Sequence, residues 1–189
     1  MPDAGRVIAG TARSIRLEAP GPGTRPLADR VKQTLFAILE PDLPGATFLD
    51  LFAGSGAAGI EALSRGAAGA WFVEQDARAV KVIHANLERT GLASVARVVR
   101  ADVVAWLRDP RRGEEGRYEV AFVDPPYDDP MTLHDALVAI DAVLAANGRV
   151  VVKHFWRDRP PTRVGLLASE RERRFGETML TFYRRTEDA

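Results

Sequence analysis

Two short segments of this chain bear residues suited to chemistry. Asp124-Pro125-Pro126-Tyr127 sets a carboxylate, a proline carbonyl and an aromatic ring in a row, and Asp50-Leu51-Phe52-Ala53-Gly54-Ser55-Gly56 sets a carboxylate ahead of two glycines. An amino group on a nucleobase is a poor nucleophile, because its lone pair is delocalised into the ring. Two in-plane acceptors can hold its hydrogens and help pyramidalise the nitrogen as it attacks. The Asp124 carboxylate supplies one and the carbonyl of Pro125 the other. Pro125 and Pro126 restrict the backbone, so little is reorganised at reaction. Tyr127 offers a flat face on which a base can stack.

The upstream segment suits a nucleotide-like cofactor. Gly54-Ser55-Gly56-Ala57-Ala58-Gly59 matches GxGxxG between an apolar, strand-like run and a helical pattern. Glycines let the chain turn sharply and let a ligand approach the backbone. The helix that follows offers free N–H groups at its start. Glu74 ends the next strand about 20 residues on, where a carboxylate can bind ribose hydroxyls. Taken alone, this pattern fits NAD as well as S-adenosylmethionine. Asp50 favours the second, since it could face a cationic amino-acid moiety but would repel a pyrophosphate. Asp102, at the end of the third strand, could accept from an adenine amino group. Both aspartates also fit helix-entry caps. The expected cofactor contacts are Asp50, Phe52, Gly54, Ser55, Gly56, Glu74 and Asp102; the expected catalytic residues are Asp124, Pro125, Pro126 and Tyr127. Together they point to methyl transfer from S-adenosylmethionine onto an exocyclic or amide nitrogen, with no metal required.

Both segments must stand at the carboxyl ends of parallel strands, where open α/β sheets bind ligands. The pattern predicts strands at 46–51, 70–74, 96–100, 119–123 and 149–153, with helices at 57–66, 77–90, 102–108 and 131–146. This alternation implies an α/β, doubly wound, mostly parallel sheet. Residues 6–17 read as a small hairpin around Gly10. Ala19–Pro26 reads as a Pro/Gly-rich linker, and Asp29 as the cap of an amphipathic helix to about Leu39. Residues 154–167 read as irregular. Ser169–Arg174 and Thr178–Arg184 read as two strands around a tight turn, adding an antiparallel C-terminal edge. The expected division is an arm at 1–28 and a Rossmann-like domain at 29–189.

The 189 residues suit one compact domain, with no cysteine and no apolar stretch long enough to span a membrane. The N-terminus lacks a signal-peptide pattern, so a cytoplasmic protein is expected. The net charge of zero is unevenly spread: residues 1–32 carry six basic against three acidic groups, 33–148 ten against seventeen, and 149–189 ten against six. Basic ends folded onto one face would bind phosphates. Arg6, Arg13, Arg16 and Arg25 are the expected RNA contacts, since forked guanidinium donors match phosphate oxygens. His84 and the three tryptophans read as surface or packing residues; His134 and His154 stand nearer the expected cleft.

With these residues in hand, the chain resembles the RsmD family, bacterial methyltransferases acting on N2 of a guanine in small-subunit (16S) ribosomal RNA. The likeness includes Arg6-Val-Ile-Ala-Gly10, Arg25-Pro26, Asp29-Arg-Val31, Leu35-Phe36, Asp50 to Gly56, Glu61-Ala-Leu-Ser-Arg-Gly66, Phe72-Val-Glu74, Asp124 to Tyr127 and Phe175-Gly-Glu-Thr178. The resemblance implies a class I S-adenosylmethionine-dependent methyltransferase acting as a monomer on 16S ribosomal RNA or an assembling small subunit. It also implies cofactor contacts from Asp50, Gly54, Glu74 and Asp102, catalytic roles for Asp124 and Tyr127, and an RNA-binding N-terminal arm. Leu27-Ala28 stand where the family usually has threonines. The competing readings are an adenine-N6 DNA methyltransferase, an NAD-dependent oxidoreductase and a catalytically silent RNA-binding assembly factor.

Overall fold

The computed structural model describes residues 3–21, 27–113, 117–126 and 129–186. At the N-terminus β1 (Asp3–Arg6) and β2 (Arg16–Glu18) pair antiparallel. Then come α1 (Asp29–Leu39), β3 (Thr47–Leu51), α2 (Ala57–Ser64), β4 (Gly69–Glu74), α3 (Ala77–Thr90) and β5 (Ala96–Arg100). They are followed by α4 (Val103–Leu107), β6 (Tyr118–Val123), α5 (Pro130–Ala139), β7 (Leu144–Phe155), β8 (Arg163–Val164), β9 (Leu167–Phe175) and β10 (Thr178–Arg185).

The main sheet has the order β5-β4-β3-β6-β7-β10-β9-β8. Its first five strands are parallel, and β10, β9 and β8 extend it antiparallel. The order reverses between β3 and β6, so a crevice opens beyond their carboxyl ends. Strand alternation sorts the core into two layers. Phe48 of β3 and Phe122 of β6 join Phe36, Ile60, Phe72 and Ile83 on one face. Leu49, Leu51, Val123 and Val152 join Trp106, Leu137 and Tyr183 on the other. Asp50, one step from Leu49 and Leu51, therefore falls on the Phe48 face.

The N-terminal arm is keyed to α2. Glu61, fully buried, accepts from the N–H groups of Ile8 (2.7 Å) and Ala9 (3.1 Å) and from Arg65 Nε (2.7 Å). Ser64 Oγ accepts from Ala12 N at 2.9 Å and donates to Ala9 O at 2.6 Å. A Cβ on Gly10 would lie 1.7 Å from Ser64 O, so the arm closes on α2 only with glycine there. The segments Arg6 to Gly10 and Glu61 to Gly66 thus face each other across one contact. Ala4, Val7, Ala12 and Leu17 bury into the same apolar layer, and the buried Lys32 donates from Nζ to Arg6 O at 2.6 Å.

Most elements fall within a few residues of their expected bounds. The main exception is residues 144–146, expected in a helix and found in β7 after a 3-10 turn at Ile140–Val143. Leu144-Ala-Ala has helical propensity, but Asn147 adopts φ 59° and Gly148 packs against Ala145 O, where a Cβ would come within 2.9 Å. The α-helix gives way to the 3-10 turn after Ala139, and Leu144 pairs with Tyr118 at the foot of β7. Asp29 is the first helical residue rather than the cap, which is Ala28. The short β8 lies in the stretch expected to be irregular. Arg25, Pro26 and Tyr127 lie outside the described residues.

Candidate active site

The loop from β3 to α2 is shaped by backbone that few side chains tolerate. Gly54 and Gly56 have φ of 55° and 76°, and Phe52, half-buried, has φ of 59°. A bulky residue in the left-handed region costs about 1–3 kcal/mol and persists only where the surroundings impose it. Gly59 has ordinary helical backbone, but a Cβ there would lie 2.3 Å from the Phe72 ring. This glycine lets α2 sit close on β4. The three glycines of the fingerprint therefore serve two ends, turning and close packing.

Three carboxylates stand at successive strand ends. Asp50 is 2% exposed, and its Oδ2 accepts from Gly59 N at 2.8 Å, bracing the first turn of α2. Glu74 accepts from Gly54 N through Oε2 and from Asp76 N through Oε1, each at 2.9 Å. Asp102 is exposed and caps α4, its Oδ1 accepting from Ala105 N at 2.8 Å. An ionised carboxylate offers about four acceptor positions, so each can still receive a ligand hydroxyl, amine or ammonium where the cleft exposes it. Ser55 contributes its carbonyl, which accepts from Asn86 Nδ2 at 2.9 Å. The same buried Asn86 pairs with Glu18 of β2, accepting from its N–H (2.8 Å) and donating to its C=O (2.9 Å).

Asp124 rises from the end of β6, next to this loop: its N–H donates to Leu51 O at 3.3 Å. Its side chain is 21% exposed, and Lys153 Nζ on β7 bonds both oxygens, at 2.6 and 2.8 Å. Pro125 is buried and Pro126 exposed. Downstream, Asp129 caps α5 by accepting from Thr132 N at 3.0 Å.

The electrostatics follow from this crowding. Burial pushes the Asp50 carboxyl well above the usual range. The neighbouring Asp124 and Glu74 charges add to the rise, and the Gly59 N–H opposes it. Asp124 is also raised by burial, against the opposing pull of the Lys153 ammonium. Ionising Asp50 is thus disfavoured by burial and by its acidic neighbours. A cationic ligand eases that ionisation, whereas a pyrophosphate would oppose it. With the open glycine turn and the Glu74 carboxylate beside it, this donor set fits S-adenosylmethionine, which carries a sulfonium and an ammonium.

Asp50, Phe52, Gly54, Ser55, Gly56 and Glu74 are brought together around one turn; Asp102 stands apart, beyond the end of β5 two strands from β3, and Asp124 lies one strand away on the other side. Lys153 escaped the sequence reading. The available signal was a cation closing the apolar run Val150-Val151-Val152 on a strand parallel to the one before Asp124. Asn86 was hidden in an amphipathic helix and left no signal. His154 is turned away from the reaction: it is 3% exposed, bonded to Phe155 O (2.9 Å) and Thr181 Oγ1 (2.8 Å), and burial lowers its pKa. His84 and His134 are exposed on their helices. Arg6 lies 3.5 Å from Asp29 and Arg16 lies 2.6 Å from Asp3, while Arg13 is exposed.

Comparison with known proteins agrees with this architecture. The family model described as "Conserved hypothetical protein 95" matches residues 5–184. A Bacillus subtilis protein named "Putative rRNA methyltransferase YlbH" is 37% identical over 183 residues, covering 95% of this chain and 98% of that one. "Ribosomal RNA small subunit methyltransferase D" of Escherichia coli is 44% identical over 123 residues, 65% of this chain and 60% of that one. Among solved structures, "Putative methyltransferase yhhF from Escherichia coli" superposes with a TM-score of 0.83 at 34% identity, covering 97% of this chain and 98% of the other. A Thermus thermophilus hypothetical protein superposes at 0.79 with 36% identity, covering 94% and 97%. With its family model spanning nearly the whole chain, this protein belongs to the conserved hypothetical protein 95 family, the RsmD family that its motifs resemble.

Proposed function

We propose that this protein transfers a methyl group from S-adenosylmethionine to the exocyclic N2 of a guanine in small-subunit (16S) ribosomal RNA, in the cytoplasm. The observation that carries the reading is the adjacency of two unlike halves. Asp124, suited to an amine, stands one strand from a carboxylate-lined glycine turn suited to a cationic nucleoside. The relatives named as ribosomal RNA methyltransferases support RNA as the substrate class. The target base, guanine N2, rests on the family resemblance.

When bound, S-adenosylmethionine supplies an electrophilic methyl group on sulfonium. Glu74 would hold its ribose hydroxyls, Asp102 its adenine amino group, and Asp50 would lie beneath its cationic end. Phe52, Gly54, Ser55 and Gly56 shape the turn that receives the cofactor. Asp124 accepts the hydrogens of the guanine amine, with the Pro125 carbonyl as second acceptor, while Pro126 stiffens the loop and Tyr127 stacks on the base. Lys153 uses one acceptor position on each Asp124 oxygen and leaves the others for the amine. Its charge also pulls the Asp124 pKa down against the larger upward push of burial. The bound donor would give its methyl group to the amine, its sulfur keeping the electron pair of the broken S–CH3 bond, and the nitrogen would gain positive charge. Asp124 stabilises that charge and takes the amine proton, which then passes to solvent. Arg6, Arg13, Arg16 and Arg25 of the arm contact RNA phosphates. The protein works as a monomer without a metal ion.

The test is transfer of a labelled methyl group to undermethylated small subunits and to free 16S RNA, with the modified nucleoside mapped. N2-methylguanosine at one position is expected. N6-methyladenine, or labelling of DNA alone, would overturn the base assignment. Equilibrium binding of S-adenosylhomocysteine and not of NAD is expected alongside.

A further inference from the structure

The acceptor side of the sheet continues into an antiparallel hairpin whose chemistry the reaction does not use. β7 ends at Phe155, opposite Thr178, and the β9–β10 turn therefore lies at the same end of the sheet as Asp124 and Lys153. Trp156 follows at once, three residues and about 10 Å of extended chain past Lys153. Its N–H donates to Glu177 O at 3.0 Å, tying it to the turn, and its residue is only half-buried. Two guanidinium groups lie over its ring, Arg174 at 3.9 Å and Arg157 at 4.9 Å from the centroid. Arg174 is fixed by its Nε bond to Gly176 O at 2.9 Å. Trp106, by contrast, is 4% exposed.

Arg171 and Arg173 lie exposed on β9. Arg173 pairs with Leu180, and Leu180 pairs with Lys153. Arg173 and Arg171 therefore share the face that bears Lys153, roughly two strand spacings, or about 10 Å, across the sheet. Among the described residues neither has a carboxylate partner, whereas Arg159 lies 3.8 Å from Glu172 and Arg184 lies 3.0 Å from Glu170. By the same alternation Arg174 falls on the opposite face, so Arg171 and Arg173 flank the end of the sheet from the side away from it. Asp158, Glu172 and Glu177 temper the charge, so it is the placement of Arg157 and Arg174 around one aromatic ring that points to a ligand.

We propose that Trp156, with Arg157 and Arg174, forms a stacking platform for an unpaired nucleotide next to the target base, and that Arg171 and Arg173 hold the phosphates of the same strand. This rests on the reading of the protein as an RNA methyltransferase. A base to be methylated must leave its stack, and its neighbours then need a surface. An aromatic ring flanked by guanidinium groups accepts any base, while the phosphates supply the salt-dependent part of binding.

The experiment measures anisotropy of a labelled, unstructured guanine-containing RNA oligonucleotide at several salt concentrations, with S-adenosylhomocysteine affinity as the check on folding. Trp156→Ala should weaken RNA binding by about 5- to 100-fold with an unchanged salt slope. Trp156→Phe should retain most affinity, and Trp156→Leu should behave like Ala. The Arg171→Ala, Arg173→Ala pair should flatten the slope of log affinity against log salt by about 0.7 per contact. Trp156→Ala with unchanged affinity, or Trp156→Leu equal to Trp156→Phe, would overturn the platform. The exposed arginine pair keeps the test readable whatever Trp156→Ala does to folding, since an unchanged slope overturns the phosphate contacts. A wild-type protein that methylates ribosomal RNA while its Trp156 variants match it sinks this proposal alone. A wild type that neither binds nor methylates RNA sinks the functional reading with it.

Discussion

On the β3–β4–β5 side of the cleft the carboxylates are held by backbone N–H groups; on the β6–β7 side Asp124 is held by an ammonium. The contrast matters because the two kinds of partner differ in charge. Backbone donors fix Asp50 and Glu74 without neutralising them, and among the described residues no side-chain cation pairs with either. That side suits a cation, which would ease the ionisation that burial and the neighbouring acids oppose at Asp50. Lys153 neutralises Asp124, and that side suits an uncharged amine. A backbone partner is fixed by the fold and cannot titrate, whereas a side-chain partner can move and can be mutated.

Asp124→Ala should break the acceptor side most severely. Turnover should fall by about 10²–10⁴-fold, as for loss of an orienting base, while affinity for S-adenosylhomocysteine stays within a few-fold by calorimetry. Wild-type turnover in a folded variant would remove Asp124 from the mechanism.

Lys153→Met tests whether the ammonium matters as charge. A charge-assisted hydrogen bond contributes about 1.5–3 kcal/mol, so a loss of about 10- to 100-fold in kcat is expected. Its charge lowers the Asp124 pKa, so removing it should raise that pKa further. The acid limb of kcat/KM, where activity falls as Asp124 protonates, should then move to higher pH. Lys153→Arg should bring the limb back. A merely structural lysine would leave the pH profile where it was.

Glu74→Ala belongs to the other side. It should weaken S-adenosylhomocysteine about tenfold or more and leave RNA affinity and turnover at saturating cofactor largely intact. A change confined to turnover would place Glu74 with the acceptor instead.

Asp50→Asn should have the smallest effect and sharpens the contrast most. The amide keeps an acceptor for Gly59 N–H and removes a buried charge. Cofactor affinity should fall a few-fold as the negative field weakens. The folded pKa of Asp50 is raised, so its contribution to stability is present at acid pH and declines as pH rises from the unfolded value through the folded one. The variant should therefore be no less stable at neutral pH, with a flatter pH dependence by thermal melts. A large destabilisation at neutral pH would mean that the charge itself holds α2.

The parts legible in the sequence were those written locally. Apolar runs marked the central strands, and the glycine turn and Asp124 marked their carboxyl ends, because each signal lies within a few adjacent residues. What sequence hid was set by partners far along the chain. Lys153 meets Asp124 across 29 positions through the register of two parallel strands. Glu61, inside a segment noted only as a family likeness, proved to be the anchor of Ile8 and Ala9. Residues 144–146 were read as the end of a helix, whereas pairing with Tyr118 and the left-handed Asn147 decided otherwise.

The amide of Asn86 has its oxygen committed to Glu18 N and its two hydrogens to Glu18 O and Ser55 O. An Asn NH2 has only two hydrogens to give, so every proton of this group is spoken for. Detaching the N-terminal arm would strand two buried polar groups and loosen the hold on the glycine turn in the same event. The two ends of that bridge consequently open and close as one cooperative unit. In hydrogen exchange, Glu18 N–H should gain protection when S-adenosylhomocysteine stills the turn. By the reciprocity of linked equilibria, whatever steadies the arm from outside also tightens the hold on the methyl donor.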